Sequence, residues 1–264
     1  GWAKQGGWTR LMGPRGMLRS AAIGMLKEGF EYLPAVGQNY NHAYYRSLVE
    51  AQGFVKEVDF VSCYLPADKF QIPERVKRIT ERVMQRGHLE IKTFRNKKEL
   101  LQWAPRIGTA YNNAFVNNWE YVPLTEREIE FVVGNILTIA DPRLIKIILH
   151  GEDVVGFLFG FPDLSAALQR AKGHLFPFGL LDILLEMRRT DWIALNGTGI
   201  LPEFQGRGGN ALMYSEMVKT MTSYRFKHAD LTQVAETAVQ MRSDLINLGG
   251  KMYKNHRVFR KVIG

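Results

Sequence analysis

A glycine-rich run between a predicted strand and a predicted helix is the sharpest chemical signal in the sequence. The run is Gly-Ile-Leu-Pro-Glu-Phe-Gln-Gly-Arg-Gly-Gly-Asn and extends from Gly199 to Asn210. Backbone amides at such a turn are not shielded by side chains, and they point toward the positive end of the following helix. That arrangement binds a phosphate or pyrophosphate, and each favourable helix-end charge contributes about 0.3–1 kcal/mol. A tight turn that binds no ligand is the alternative interpretation of the glycines alone.

Two familiar nucleotide motifs do not describe this run. The dinucleotide fingerprint Gly-x-Gly-x-x-Gly belongs to a parallel sheet, whereas hairpins dominate the strands predicted here. The Gly-Lys-Ser/Thr ending of a nucleotide P-loop is absent from the run as well. The sequence therefore predicts a phosphate-binding turn of another kind.

The elements that must position this run alternate short strands with helices. Thr125 and Glu128 form a capping box that starts one helix, and we expect a break at Pro105 in the helix before it. Gly151 marks a hairpin turn. From residue 89 onward, the predicted strands are 89–94, 144–150, 154–161, 192–201, 228–235 and 251–262, and the predicted helices are 98–116, one from 125, 209–223 and 238–248.

The upstream part of the chain has a different pattern. A helix is predicted over 44–52 and a strand over 54–64. An amphipathic helix follows within 67–87, where Ile72, Val76, Ile79 and Val83 fall at helical spacing. Its apolar stripe must pack on another part of the protein.

An atypical insertion covers residues 162–187 and includes a helix predicted from Leu180. Several phenylalanines surround it, which leaves two interpretations open. The insertion covers an apolar acyl or acceptor group, or it forms the contact of a homodimer.

Composition sets the broad class of the protein. The 264 residues are 46% hydrophobic and 11% aromatic, which is enough apolar material for a sizeable core and excludes global disorder. The single cysteine, Cys63, excludes an intramolecular disulfide framework and a cysteine-rich metal cluster. The most apolar stretch, from Leu175 to Met187, is interrupted by Asp182 and is too short to span a bilayer. With no secretory pattern, we expect a cytoplasmic protein with no membrane partner and no metal.

The formal net charge of +9 raises the question of a nucleic-acid partner. Acidic and basic residues are mixed over most of the chain, which is typical of an ordinary solvated surface. A basic cluster in the last predicted strand keeps nucleic-acid binding as a minor alternative. Its members are Lys251, Lys254, Arg257, Arg260 and Lys261.

The motif Gln205-Gly206-Arg207-Gly208, which follows a strand ending in Ile200-Leu201-Pro202, resembles the acyl-CoA-binding motif of the GNAT acetyltransferase superfamily. The order of elements from Leu89 to Gly264 also fits that fold. The resemblance implies an α/β (α+β) fold class, in which a central mixed, mostly antiparallel sheet is flanked by helices. It further implies a GNAT acyltransferase domain over residues 88–264.

The residues before 88 resemble the closing half of a preceding GNAT-like unit, as in two-unit members of the superfamily. The segments that carry this resemblance are Gly29-Phe30-Glu31, Tyr40-Asn41, Tyr44-Tyr45 and Gly53-Phe54. We therefore expect a partial, truncated first unit over 1–66 and a connecting helix over 67–87. On this interpretation the chain begins inside a domain.

The resemblance also implies the co-substrate and the residues that would bind it. Acetyl-CoA or another acyl-CoA would lie along the strand that precedes the motif, whose free amides pair with pantetheine. Ile200 and Leu201 would face pantetheine. The remaining cofactor-binding positions would be Gln205, Gly206, Arg207, Gly208, Gly209 and Asn210.

The implied chemistry is attack of an amine on the thioester, and it needs a base. Glu236, after the predicted strand 228–235, is the first candidate, and Glu120 is the second. The tyrosine that commonly serves as the acid in the superfamily is absent here, because Leu245 occupies its position. Tyr253 is then the candidate acid, with Tyr214 or water as alternatives. Cys63 lies outside the motif-bearing domain, so we do not expect it to be a nucleophile.

The segment around Trp119 is dense in aromatic and amide side chains. Members of the superfamily use this region over the acceptor site, so the resemblance implies that Asn118, Trp119 and Glu120 bind the amine substrate. The alternative is a packed corner between two helices, in which the Trp119 side chain fills the interior.

The sequence thus predicts an acyl-CoA-dependent N-acyltransferase that acts on a small-molecule amine. Leu245 and Asn210 both depart from the common pattern of the superfamily. They favour one alternative, a catalytically degenerate module that binds CoA or a protein.

Overall fold

A mixed β-sheet with helices packed on its two faces forms the body of the protein. The fold is that of a computed structural model, which describes residues 1–16, 22–67 and 72–264 of the chain. The strands of the described residues are β1 (Arg10–Gly13), β2 (Met25–Glu28), β3 (Val55–Pro66), β4 (Glu90–Lys92), β5 (Ile145–His150), β6 (Asp153–Pro162), β7 (Trp192–Ile200), β8 (His228–Ala235) and β9 (Lys251–Val262).

Helices connect most of these strands. Those of the described residues are α1 (Trp2–Gln5), α2 (Tyr44–Ala51), α3 (Glu74–Arg86), α4 (Lys97–Phe115), α5 (Glu126–Ile139), α6 (Ser165–Ala171), α7 (Gly179–Arg189), α8 (Gly209–Ser223) and α9 (Val239–Asn247).

The strand order in the sheet is β1-β9-β3-β8-β7-β6-β5-β4, and β2 pairs with β9 beside this path. The β7–β8 pair is parallel, whereas the other pairs in the described residues are antiparallel. The predicted fold class, a mixed and mostly antiparallel sheet flanked by helices, is confirmed.

Alternation along the strands divides the core between the two faces of the sheet. Ile148 and Leu158 belong to a cluster with α8, whereas Ile147 and Phe157 belong to a cluster with α4. Successive side chains of a strand point to opposite faces, so neighbouring residues enter different cores. Helices α4 and α8 therefore lie on opposite faces of the β5–β6 hairpin.

Strand β3 comes from the upstream part of the chain but lies inside the sheet, between β8 and β9. Phe60 pairs with Ala235 of β8 and with His256 of β9. The domain boundary predicted at residue 66 stays a prediction, but β3 belongs to the same sheet as the strands that follow residue 88. Residues 68–71 of the predicted connecting segment lie outside the described residues, and its helix is α3.

The predicted break at Pro105 is wrong, because α4 continues through this residue. Proline removes one N–H and forces the carbonyl four residues earlier to find another partner. Both Pro105 and Leu101 are exposed, so water can solvate the carbonyl that the missing N–H leaves. The predicted capping box is confirmed, since Thr125 Oγ1 accepts from the Glu128 amide and Glu128 Oε2 accepts from the Thr125 amide.

Across the described ranges, no helix combines the length and apolar character that crossing a membrane requires.

Candidate acyl-CoA site at the β7–α8 turn

Strands β7 and β8 pair over part of their length and then separate. The parallel ladder joins Trp192–Leu195 to His228–Leu231 and ends there. On its other side β7 stays paired with β6 as far as Ile200, and β8 stays paired with β3 as far as Ala235. The edge of β7 that faces β8 is therefore open from Asn196 to Ile200.

A β-bulge marks the point where the two strands separate. Thr198 pairs with Leu158 and Leu195 pairs with Gly160, so β7 has one residue more than β6 over this stretch. Gly197 lies in the bulge with φ +109°, a conformation that side chains disfavour. A Cβ at Gly197 would also meet the Phe159 ring at 3.0 Å. The bulge turns the strand at the residues where its edge becomes free.

The predicted glycine-rich turn follows this open edge and leads into α8. Gly206 and Gly208 both have positive φ, at +74° and +90°. Gly209 begins α8, and a Cβ there would lie 2.9 Å from Ile148 and Ile200. Glycine at this position lets the start of the helix pack directly on the sheet. The amides of the first turn of α8 have no partner inside the helix, so they are donors for an anion.

A groove of about 690 Å³ opens at this turn and is lined by basic side chains. Arg207 comes from the turn itself, Arg82 from α3, and His150 from the end of β5. His88 precedes β4 and completes the basic set. Arg207 is held with its guanidinium 5.0 Å from the centre of the Phe204 ring. Positive charge and unpaired amides thus converge where the turn meets α8.

Helix α3 forms one wall of the groove. A Cβ at Gly208 would lie 2.7 Å from side-chain methyl groups of Ile79 and Val83, which belong to the predicted apolar stripe. The stripe therefore packs on the glycine turn, and only a residue without a side chain fits beneath it. The amphipathic pattern predicted the helix; it did not predict this contact.

The predicted cofactor residues occupy different positions around the turn. Gly206, Arg207 and Gly208 line the groove, whereas Ile200 is buried and packs in the core. The amide of Leu201 donates to the Val155 carbonyl at 2.9 Å. A contact from Ile200 to a ligand would therefore be made by its backbone.

Two further predicted cofactor positions flank the glycines of the turn. The Gln205 side-chain amide donates to the Ile200 carbonyl at 3.2 Å, which ties the end of β7 to the turn. Asn210 is half-buried as the second residue of α8. Gln205 thus has a structural partner.

The carboxylate of Glu236, the predicted base, lies at the end of β8 and is held on both sides. Its Oε1 accepts from the Asp59 amide at 3.0 Å, and its Oε2 accepts from Lys56 Nζ at 2.6 Å. Because β7 and β8 are parallel, their carboxyl ends lie at the same edge of the sheet. Glu236 is therefore on the same edge as the glycine turn, across the opening from Leu201.

The predicted substrate loop packs near this edge. Trp119 meets Phe60 edge-on at 6.0 Å between ring centres, and Trp119 and Ala235 both pack against the buried cluster that contains Phe60. Glu120 has φ +47°, and its carboxylate accepts from Arg10 at 3.0 Å. Asn118 is exposed and its carbonyl accepts from the Tyr121 amide. Trp119 thus packs as the structural alternative expects, against the cluster that Ala235, the residue before Glu236, also contacts.

The other predicted catalytic residue, Tyr253, lies toward the opposite end of β8. Its ring is 5.9 Å from that of Tyr64, which pairs with Asp230. Burial, together with the charge of Asp230, raises the pKa of the Tyr253 phenol well above its usual range. The structure brings Glu236 to the glycine-turn edge and does not bring Tyr253 there.

Tyr214, the alternative acid, and Leu245, which replaces the tyrosine common in the superfamily, both lie in the core. The Tyr214 hydroxyl donates to the Met241 sulfur at 2.9 Å, and burial raises the pKa of this phenol. Leu245 is 0% exposed. The prediction that Leu245 belongs to the core is confirmed.

Sequence reasoning missed Arg82, His88 and His150 as groove residues. They come from three separate parts of the chain and carry no local motif. The only available signal for Arg82 was its position on the helix that bears the apolar stripe. No group of three or more His, Cys, Asp or Glu suited to a metal ion occurs among the described residues.

Comparison with known proteins gives relatives of low identity over nearly the whole chain. Protein YghO of Escherichia coli (strain K12) is 24% identical over 268 residues, which cover 99% of this chain and 68% of that protein. Bacterial ceramide synthase of Caulobacter vibrioides is 24% identical over 268 residues, covering 99% of this chain and 69% of that protein. No protein-family profile matches the chain.

Solved structures with the same arrangement decide the fold. A tandem GNAT protein from the clavulanic acid biosynthesis pathway superposes with a TM-score of 0.54 at 10% identity, covering 100% of this chain and 67% of that one. The fold is GNAT-like. A GCN5-related N-acetyltransferase from Sphaerobacter thermophilus agrees, with a TM-score of 0.52 at 16% identity. The match covers 87% of this chain and 58% of that one, so the chain spans less than two thirds of that GNAT protein.

The reactivity of the Cys63 thiol tests whether β3 lies inside the sheet. It is fully buried in β3 opposite Leu231, and burial raises the pKa of its thiol to about 12. We expect no reaction with a thiol reagent such as DTNB in the native protein at pH 8, because only the thiolate reacts. Full reaction is expected after unfolding in guanidinium chloride. Rapid labelling of the native protein would contradict the placement of β3. The sequence analysis expected no nucleophilic role because Cys63 precedes the motif-bearing domain. Since β3 belongs to the same sheet as the motif, the reason for that expectation is now the burial of the thiol.

Proposed function

We propose that the protein is an acyl-CoA-dependent N-acyltransferase. The observation that carries the proposal is the open edge of β7, which leads directly into a glycine turn with a basic groove. An open strand edge can pair with an extended amide chain such as pantetheine. The turn and groove can bind the phosphates at the other end of the same molecule. The GNAT-like fold supports this assignment, because its named neighbours include N-acetyltransferases.

We assign the phosphates of CoA to the groove residues. The amides from Gly206 to Asn210 would hold the pyrophosphate, as helix N-termini hold anions. Arg82 and Arg207 would add charge, since guanidinium groups suit phosphate oxygens. His88 and His150 line the same groove and would contribute further donors. We place the proposed reaction in the cytoplasm, where acyl-CoA is available.

The proposed reaction is direct transfer from sulfur to nitrogen. The amine lone pair attacks the thioester carbonyl carbon, a C–N bond forms, and the C–S bond breaks with its electron pair remaining on sulfur. Counted from the neutral amine, the nitrogen loses one proton and the sulfur gains one; an amine that arrives as ammonium first gives one further proton to the base. An amine with a pKa near 10.4 is only about 0.04% neutral at pH 7, so a base that removes its proton accelerates the reaction.

Glu236 is the base that the geometry favours. A carboxylate has about four acceptor positions, and the two contacts to Asp59 and Lys56 leave room for an ammonium donor. Tyr253 lies toward the other end of β8 with a raised pKa, so we assign protonation of the sulfur to water. Trp119, which packs against the same buried cluster as Ala235, would form part of the acceptor wall. Asn118 and Glu120 stay proposals for the same wall.

The role of Glu236 can be separated from its ion pair. Glu236→Gln is expected to lower kcat about 10²–10⁴-fold. Lys56→Met breaks the same ion pair but keeps the carboxylate, so it serves as the matched control and is expected to change kcat less than about tenfold. Equal losses in the two variants would show that Glu236 acts only through the contact with Lys56.

The name of one relative suggests the class of acceptor. Bacterial ceramide synthase takes its name from ceramide, an amide of a long-chain amino alcohol. We extend the proposal to an acceptor of this kind, a lipid-like primary amine. Acetyl-CoA and a long-chain acyl-CoA are both tested as donors, because chain length is not set by the groove that binds the phosphates.

The assay combines each donor with an amine panel and detects the product by mass spectrometry. Acetyl-CoA or palmitoyl-CoA is incubated with sphinganine or with ethanolamine, a short control amine. We expect an N-acyl amide of sphinganine together with an equal amount of free CoA thiol. CoA binding without any amide would contradict the proposal and would support the degenerate binding module, which the buried Leu245 favours.

A further inference from the structure

The segment of α6, α7 and their connection, here called the α6–α7 hairpin (residues 165–189), exposes an unusual amount of apolar surface. Phe176 and Phe178 are 80% and 74% exposed. Scattered apolar residues are normal on protein surfaces, whereas a contiguous patch marks an interaction site. The large exposed apolar side chains of the hairpin are Leu168, Leu175, Phe176, Phe178, Leu180, Leu181, Leu184 and Leu185.

Helix α7 has apolar residues on both of its faces. Ile183 and Met187 are half-buried and are spaced four apart, so they form the inner face. Leu181, Leu184 and Leu185 are each about half exposed and lie together on the outer face. Packing on the protein therefore does not account for the outer leucines.

The charges of the hairpin are asymmetric. Arg170 binds both acidic residues of α7, with contacts of 2.8 Å to Asp182 and 2.5 Å to Glu186. Arg188 lies seven residues after Leu181 and is thus on the outer face. Among the described residues, the ion pairs of the hairpin are those of Arg170, and neither Arg188 nor Lys172 takes part in one. The outer surface is consequently apolar with a positive rim.

These features point to one occupant. We propose that the α6–α7 hairpin docks the protein on an anionic lipid surface. Exposed Phe and Leu side chains can enter the boundary between headgroups and acyl chains, while Arg188 and Lys172 contact anionic headgroups. A second copy of the chain suits the patch less well, because a two-fold contact would bring these cations close to their own copies. The proposal replaces the sequence expectation of no membrane partner.

The position of the hairpin is compatible with an open co-substrate groove. The hairpin joins the end of β6 to the start of β7, whereas the glycine turn follows the other end of β7. Nine residues of strand separate the two ends, roughly 30 Å at about 3.3 Å per residue. A protein docked through the hairpin therefore keeps its groove in water.

Vesicle flotation of the full chain tests this proposal without any acyl-CoA. We expect binding to phosphatidylcholine vesicles that contain phosphatidylglycerol, weaker binding to pure phosphatidylcholine, and at high salt a fall to that weaker level. Phe176→Ser with Phe178→Ser is expected to lower the bound fraction at least tenfold, and Lys172→Gln with Arg188→Gln to remove the preference for the anionic vesicles.

A matched control uses two exposed apolar residues outside the hairpin. Leu101→Ser with Phe131→Ser, at 52% and 57% exposure, is expected to leave flotation unchanged. Circular dichroism melts establish that each variant is folded. Absence of flotation by the wild type would overturn the proposal. Equal flotation by the phenylalanine double variant of the hairpin and by the Leu101 and Phe131 control would also overturn it. A dimer that Phe176→Ser with Phe178→Ser dissociates would also overturn it, in favour of a second copy. Since no turnover is measured, these outcomes are separate from failure of the acyl-transfer assay.

Discussion

Gly208→Ala is expected to weaken CoA binding at least tenfold and to destabilise the protein by about 2–5 kcal/mol. The new Cβ would lie 2.7 Å from methyl groups of Ile79 and Val83, on a backbone with φ +90°. The left-handed conformation costs about 1–2 kcal/mol for a residue with a side chain, and overpacking adds about 1–3 kcal/mol. Because α3 and the glycine turn cannot both keep their positions, the groove loses its shape. Urea denaturation and calorimetric titration with CoA measure the two effects.

Gly151→Ala separates backbone strain from the clash with α3. Gly151 has φ +60° in the β5–β6 turn, and a Cβ there would meet nothing within 4 Å. This control is expected to cost about 1–2 kcal/mol and to leave the affinity for CoA unchanged. If Gly208→Ala is no more harmful than Gly151→Ala in both measurements, α3 does not form a wall of the groove.

Lys254→Met is expected to destabilise the protein by about 3–5 kcal/mol. Lys254 Nζ lies 2.6 Å from Asp230 Oδ2, and both side chains are only 1% exposed. Burial already raises the pKa of Asp230, and Lys254 is the cation that opposes this shift. Removing one partner of a buried pair leaves an uncompensated charge, which accounts for the size of the effect. Urea denaturation at neutral pH measures the loss.

An exposed ion pair provides the comparison for Lys254. Lys77 and Glu74 are 2.7 Å apart on the surface of α3, so Lys77→Met is expected to leave the urea midpoint unchanged. In the Lys254→Met background, Asp230→Asn is expected to restore part of the lost stability, because the buried carboxyl can no longer ionise. A midpoint for Lys254→Met close to that of Lys77→Met would show that Asp230 and Lys254 are not a buried pair.

Elements with strong local signals could be predicted from the sequence. The limits of α8, β8 and β9 match the predicted ranges. The residue types at these limits are ones that commonly begin or end a helix or a strand. The capping box of Thr125 and Glu128 is equally local. The glycine turn was found for the same reason, since its residues are contiguous in the chain.

Features that depend on contacts distant in sequence could not be predicted. Nothing in the sequence of β3 indicates that it lies between β8 and β9. The groove likewise unites Arg82, His88 and His150 with the turn. Glu236 was selected for its position after a strand, but its hydrogen-bond partner Lys56 lies 180 residues away in the sequence. Such pairings are set by sheet order, which periodicity along one segment does not reveal.

Which face of a helix packs on the protein could not be predicted from the sequence either. The apolar run around α7 was visible, and its length excluded a bilayer span. Because apolar residues occur all around α7, the pattern did not decide which leucines would pack inward. The structure places Ile183 and Met187 inward and leaves Leu181, Leu184 and Leu185 outward. That outcome carries the proposal of a lipid-facing surface.

The most direct test of the acyl-CoA site is hydrogen–deuterium exchange of the full chain with and without CoA. The account predicts protection in peptides that cover residues 197–212, because CoA would occupy the amides of the open β7 edge and of the first turn of α8. A smaller effect is expected in α3, which lines the groove. Unchanged exchange at millimolar CoA, or protection confined to other parts of the chain, would contradict it.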